Sequence, residues 1–229
     1  MRFDLHIHSN YSSDSSLSVD DILKQAVKKG LNGIAICDHN TVEGSLCAIE
    51  RAREMELPLL VLPGIEISTK EGHLIVLGIR ENIPSNLSYN ETIRIAREKG
   101  GVIIAAHPFK IRSIGFGAKD ADAIETFNSR CIFGENLEAK EMARALRKPE
   151  VGGSDSHLLA TIGLGFTDID AESSEISVLS AIKEGKTIPG GKVAPLYVVF
   201  IQVVQGVFRR MSRFGNRIHS KIFHNNGTM

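Results

Sequence analysis

Phe3-Asp4-Leu5-His6-Ile7-His8 opens the chain as a β-strand, and its two histidines decide how the rest is read. Residues two apart on a strand project from one face. His6 and His8 therefore offer two imidazoles to a single ion from a rigid platform. An HxH triplet alone is a weak signal in a chain with 8 histidines, so its weight comes from what recurs downstream. Ser18-Val19-Asp20-Asp21 caps a helix that runs to Lys29 and stops at Gly30. Strand-like runs follow at Gly33 to Cys37, Leu59 to Leu62, Ile65 to Ser68, His73 to Ile79, Val102 to Ala106, Ala123 to Phe127 and Val151 to Gly153. Helical stretches cover Thr41 to Met55, Tyr89 to Lys99, Asn136 to Arg147 and Ser174 to Glu184. Strands alternating with helices of this length predict parallel βαβ units, and so many in one chain predict a barrel.

The composition is that of a globular protein: 229 residues, 42% hydrophobic and 24% charged. It excludes a collagen-like, low-complexity or wholly disordered chain. Cys37, Cys47 and Cys131 are odd in number and form no CxxC pair, so a disulfide framework is not expected and a reducing compartment fits. No signal peptide or membrane span is legible, and the expected location is the cytoplasm. The 27 basic and 27 acidic residues cancel unevenly. Residues 191–229 hold no acid and six basic residues, Lys192, Arg209, Arg210, Arg213, Arg217 and Lys221, leaving residues 1–190 with a net charge of −6. That tail also carries Leu196, Phe200, Val203, Val207, Met211, Phe214, Ile218 and Ile222 at helical spacing. A basic amphipathic helix of this kind can pack on the barrel, on a second subunit, on an anionic membrane surface or on nucleic acid.

Six histidines fall at or beside strand ends: His6, His8, His39, His73, His107 and His157. In parallel α/β barrels the C-terminal strand ends converge on one face, where active sites sit. His73 starts its strand and needs a bend to reach that face. Asp14, Asp38, Glu66 and Asp155 share the pattern. Imidazole with carboxylate is a donor set for Zn²⁺, Mn²⁺ or Fe²⁺ rather than for Ca²⁺ or Mg²⁺ alone. Six histidines with Asp14, Glu66 and Asp155 exceed what one ion takes, and carboxylates can bridge, so two or three clustered divalent ions are expected. Other catalytic templates are absent: there is no GxSxG elbow, no GxGxxG opening a helix and no Walker loop. Cys37 reads as a core residue and Cys131 as an ordinary loop thiol.

His6-Ile7-His8-Ser9, Ser13-Asp14, Asp38-His39-Asn40, Pro63-Gly64-Ile65-Glu66, Gly72-His73, His107-Pro108 and Ser154-Asp155-Ser156-His157, in this order, resemble the PHP (polymerase and histidinol phosphatase) family. The likeness spans residues 2–190 and looks most like the stand-alone, TrpH-like metal-dependent phosphoesterases. It implies a distorted (β/α)7 barrel over residues 1–190, followed by the basic helical tail over 191–229. It also implies a trinuclear site: one ion on His6, His8, Glu66 and Asp155, a second sharing Glu66 with His73 and His107, and a third on Asp14, His39 and His157. Many members place the first acidic ligand where Ser13 stands here, and Asp14 is the evident substitute.

The implied function is hydrolysis of phosphate esters by a metal-activated water. Expected substrates are small molecules such as nucleotides or 3′,5′-bisphosphonucleosides, with RNA ends as a further class. Zn, Mn or Fe are the expected ions, with Mg as another option. Lys110, Arg112 and Arg130 lie in loops after strand ends and are candidates to clamp phosphate, or else solvated loop charges. Asp38 could orient the ligands beside it, and Asn128 could contact substrate or cap a turn. The alternative function is a metal-stabilised binding or regulatory module without catalysis. Amidohydrolase-like cleavage of C–N bonds shares the HxH logic but lacks a legible bridging lysine.

Overall fold

The computed structural model describes residues 1–110, 115–201 and 204. The first half runs β1 (Arg2–Ile7), α1 (Val19–Lys28), β2 (Gly33–Ile36), α2 (Glu43–Glu54), β3 (Leu60–Leu62), β4 (Gly64–Ser68) and β5 (His73–Leu77). It continues through α3 (Tyr89–Glu98), β6 (Val102–Ala105), β7 (Ala123–Asn128), α4 (Glu135–Leu146), β8 (Glu150–Gly153), β9 (Gly165–Ile169), α5 (Glu175–Lys183) and β10 (Thr187–Gly191). Each helix lies within two residues of its expected span. Serine caps account for three starts: Ser18, Ser88 and Ser174 accept the amides of Asp21, Glu91 and Ser177 through their side chains. Beyond the end of α1, Gly30 takes φ +71°, where a side chain would be strained.

The chain is a mixed α/β fold. Hydrogen bonding divides the strands into two five-stranded sheets, β10-β9-β1-β2-β3 and β4-β5-β6-β7-β8. Pairing is not parallel throughout, as the alternation of helices and strands suggests. β4–β5, β5–β6, β1–β9 and β9–β10 are antiparallel. The reason is connection length: the turn over residues 69–72 is far too short for a crossover, so β5 can only fold back on β4. β9 and β10 are absent from the sequence reading. β10 contains Pro189, Gly190 and Gly191 and survives as an edge strand, the place where a missing amide does least harm.

Two short parallel bridges join the sheets, Ile7 to Ser156 and His39 to Glu66. One buried cluster draws Phe3, Leu5, Ala35 and Leu62 from the first sheet and Ile75, Leu77, Val102 and Ile104 from the second, with Val178 and Ile182 of α5 against it. Close approach of β8 to β1 requires Gly153, since a Cβ there would sit 2.5 Å from the Cβ of His6 and 2.8 Å from its amide nitrogen. Gly153→Ala should therefore cost about 1–3 kcal/mol through overpacking. Thermal denaturation would read this as a Tm several degrees lower, and an unchanged Tm would contradict so close an approach.

Beyond β10, Lys192 N–H donates to Leu164 O and Ala194 N–H to Ser129 O. A helical turn then starts at Leu196, with Leu196, Tyr197 and Phe200 exposed. The remaining positions of the expected tail stripe, from Val203 to Ile222, lie outside the described residues. No helix among the described residues is long and apolar enough to cross a membrane.

Candidate metal centre

The two bridges between the sheets assemble the site. His8 N–H donates to Ser156 O at 3.0 Å, which sets His6 and His8 beside Asp155 and His157. Glu66 N–H donates to Asp38 O at 3.1 Å and Asn40 N–H to Glu66 O at 2.8 Å, which sets His39 beside Glu66. His73 needs no bend. β5 runs antiparallel to β4 with Ser68 opposite His73, so its first residue already lies at the end where the parallel strands finish. His107 follows β6 and takes φ +28°, while Asn40 and Asp155 take φ +61° and +51°. Non-glycine residues held there cost on the order of 1–3 kcal/mol each, and such strain gathers at functional sites.

The groups surround a cavity of about 490 Å³ lined by Ser13, Asp14, His39, Asn40, Glu66, Ser68, His73, His107, Lys110, Arg130 and Asp155. His6, His8 and His157 are buried. His6 Nε2 and His8 Nε2 are 3.1 Å apart, as two residues on one strand face should be. From Glu66 Oε2, His8 Nε2 is 3.2 Å away and His6 Nε2 3.5 Å; from Asp155 Oδ1 the same atoms are 3.5 and 4.0 Å away. The other oxygen of Glu66, Oε1, faces His73 Nδ1 at 2.9 Å and His107 Nε2 at 3.1 Å. Asp14 Oδ2 faces His39 Nε2 at 3.1 Å and His157 Nε2 at 3.3 Å. Ser13 also lines the cavity, but the carboxylate there is that of Asp14.

Electrostatics keep the acids ionised. Burial opposes charge on Glu66, but His39, His73 and His6 outweigh it and hold the carboxyl well below its usual range. Asp155 is likewise held low against burial, by Arg130, Lys110 and His6. Asp14 is held low against burial by His157 and His39. Burial also disfavours protonated His8, yet Asp155 and Glu66 raise it to about 9. His157 moves the other way, to about 4, through burial and the charges of Arg130 and His8.

Divalent ions fit this arrangement. His39 Nδ1, His73 Nδ1 and His157 Nε2 are buried and lie within reach of carboxylates, yet among the described residues none makes a well-formed hydrogen bond, and His8 Nδ1 and His107 Nδ1 have no hydrogen-bond partner there. Buried imidazole nitrogens crowded around carboxylates are the donor set of a metal site. Among the described residues, four triads could each hold an ion: His6, Glu66 and His107; His6, His8 and Asp155; His8, Asp14 and His157; and His8, His39 and Glu66.

Two of the three candidate phosphate-binding cations are at this cavity. Lys110 Nζ is 2.7 Å from Asp155 Oδ2, and Arg130 NH1 is 2.9 Å from Asp155 Oδ1. Arg112 lies outside the described residues. Asp38 accepts from the amide and hydroxyl of Ser9, both at 2.6 Å, and so fastens the loop after β1. Asn128 accepts from Arg130 N–H and donates to Glu125, the geometry of a turn residue. Cys37 is a core residue, and burial pushes the Cys131 thiol up to about 12, too high for a nucleophile.

Sequence reading missed two buried carboxylates. Asp4 accepts from the amides of Ser154 and Gly163, tying β1 to the segments after β8. Glu125 accepts from His6 Nδ1 at 2.9 Å. The available signal in each case was an acid next to apolar residues inside a short strand.

The profile of the PHP domain matches residues 4–109, and that of the PHP-associated region matches residues 133–187. An uncharacterised protein of Methanocaldococcus jannaschii is 39% identical over 143 residues, 56% of this chain and 82% of that one. A 5′-3′ exoribonuclease of Haemophilus influenzae is 35% identical over 107 residues, 45% of this chain and 38% of that one. Among solved structures, a two-domain Bacteroides vulgatus protein described as containing a predicted PHP-like metal-dependent phosphoesterase superposes with a TM-score of 0.71 at 18% identity. That superposition covers 84% of this chain and 65% of the other. Fold and site together define an α/β protein with a buried histidine–carboxylate cage able to hold divalent ions. The chain belongs to the PHP family.

Proposed function

We propose that this protein is a metal-dependent phosphoesterase with a trinuclear site, acting on small phosphate esters such as nucleotides or 3′,5′-bisphosphonucleosides, with RNA ends as a second substrate class. One observation carries this reading: six imidazoles and three carboxylates far apart in sequence meet in one cluster, three of the imidazoles lining its cavity, with buried imidazole nitrogens that have no hydrogen-bond partner among the described residues. The cavity volume suits a small ligand. The exoribonuclease relative supports phosphoester chemistry.

His6, His8, Glu66 and Asp155 would hold one ion; Glu66, His73 and His107 a second; Asp14, His39 and His157 a third. Zn, Mn or Fe suit these donors, with Mg as a further option. When bound, the ions would supply an activated water and neutralise charge on the phosphate and its leaving oxygen. The chain's own residues do the rest. Glu66 presents both oxygens at the centre of the cage, and Lys110 and Arg130 bring two cations to its rim. In this reading residues 1–190 form the catalytic unit, the two sheets being one distorted barrel closed at the two bridges, and residues 191–229 an appended basic tail.

A screen for released phosphate tests the proposal, with metal-loaded protein offered nucleotides, 3′,5′-bisphosphonucleosides, sugar phosphates, histidinol phosphate and short RNA. Release that disappears on chelation is the expected result. Full metal occupancy with no release from any ester would replace it with a non-catalytic binding module. Arg130→Gln should lower kcat/KM by about 10–100-fold, the worth of one charge-assisted hydrogen bond. Metal content measured alongside should stay level.

A further inference from the structure

Glu125 sits in the middle of β7, is 2% exposed and does not itself line the cavity. Its two oxygens take hydrogen bonds from three donors. Oε1 accepts from His6 Nδ1–H at 2.9 Å, while Oε2 accepts from the His107 amide at 2.8 Å and from Asn128 Nδ2 at 3.0 Å. A carboxylate has no proton to give, so the hydrogen bond to His6 requires the imidazole proton to reside on Nδ1. In the neutral ring that can ligate a metal, the lone pair is then on Nε2, the nitrogen that lies 3.5 Å from Glu66 and 3.1 Å from His8 Nε2.

We propose that Glu125 is the positioning residue of the cage: it fixes the tautomer and ring orientation of His6 and ties the backbone of His107 to the same anchor. The inference rests on the metal-site reading above and adds to it a residue outside the ligand set. A histidine ligand whose second nitrogen is held by a carboxylate is fixed in direction and made more basic, and loss of such a partner typically costs 10–100-fold in metal affinity.

Glutamine at this position cannot do the same work. With its single acceptor oxygen turned to the His107 amide and Asn128, its NH₂ faces His6 Nδ1. That nitrogen must then accept, so the proton moves to Nε2 and the lone pair leaves the cage. With the oxygen turned to His6, the NH₂ opposes two other donors. Either way the arrangement is broken without any change in size.

The test uses the full chain loaded with Zn²⁺, by chelator competition and by long-range ¹H–¹⁵N spectra of the histidine rings. In the wild type, His6 should bind through Nε2 and show a slowly exchanging Nδ1 proton. In Glu125→Gln that proton should be lost, with one Zn²⁺ equivalent weakened by about 10–100-fold and the others close to wild type. A wild type that takes up no Zn²⁺ overturns the metal reading and this proposal with it. A wild type that binds, with affinity and the Nδ1 proton unchanged in Glu125→Gln, overturns only the role of Glu125, even if the variant melts earlier. If the variant does not fold, the wild-type spectrum decides alone, because a His6 proton found on Nε2 contradicts the proposal.

Discussion

Glu66→Gln is expected to cut phosphate release by three orders of magnitude or more while leaving the secondary structure intact. No other acid in the site faces imidazoles with both oxygens at such close range: Oε1 meets His73 and His107, and Oε2 meets His8 and His39 within 3.2 Å. Glutamine keeps the size and the β4 backbone pairing but removes the charge and one of the two acceptors. In the proposed site it weakens two ions at once. A bound ion contributes several kcal/mol of charge stabilisation to phosphoryl transfer. At ~1.36 kcal/mol per decade, losing that contribution costs about 10³-fold in rate. Phosphate release per folded protein, with far-UV circular dichroism as the control for folding, measures the effect. Turnover within tenfold of wild type would remove Glu66 from the shared position.

Removing the metal should lower thermal stability by roughly 8–16 °C. An ion present at 1,000 times its Kd stabilises the folded state by about 4.1 kcal/mol, and a chain of this size loses about 2–4 °C per kcal/mol. The effect should also depend on pH in a defined direction. His8 is raised to about 9 in the metal-free fold against 6.5 unfolded, so its contribution is complete below pH 6.5 and lost as pH rises toward 9. His6 and His73 are raised as well and act in the same sense. Glu66 and Asp155 are depressed, so what they contribute is present at neutral pH and lost only in acid. His157, lowered to about 4, adds a further rise in stability between pH 4 and 6.5. The metal-free protein should therefore be most stable near pH 6.5 and weaken toward pH 9. Ligated imidazoles are already neutral, and metal affinity grows as the cationic rings lose their extra proton. The Tm gap between loaded and stripped protein should widen from pH 6.5 to 9 in a melting series with and without chelator. A gap that closes over that range would contradict a site built on these histidines.

Much of this molecule is legible along the chain because the decisive cues are local. A serine before an apolar run and a glycine after it bound α1 to within a residue, since capping involves only neighbours in sequence. The site histidines are visible for a similar reason: they fall at or beside strand termini, which can be located from short apolar runs. Asp14 beside Ser13 could be chosen as the acid on chemistry alone, and it is Asp14 that faces His39 and His157.

What only the tertiary structure decided concerns partners far apart in sequence. The β5 hairpin turns His73 toward the cage by pairing direction. The bridges Ile7–Ser156 and His39–Glu66 bring residues of two sheets together. Glu125 gains its meaning from a histidine 119 positions away. β9 and β10 exist because the first sheet offers them an edge, not because Pro189, Gly190 and Gly191 favour a strand. The sequence by itself determined which side chains could ligate and roughly where elements begin, because rotamer, cap and turn preferences act over a few residues. Which donors share an ion, and which carboxylate stands behind them, was decided by strand pairing, whose hydrogen bonds and side-chain contacts form only when the whole chain is folded.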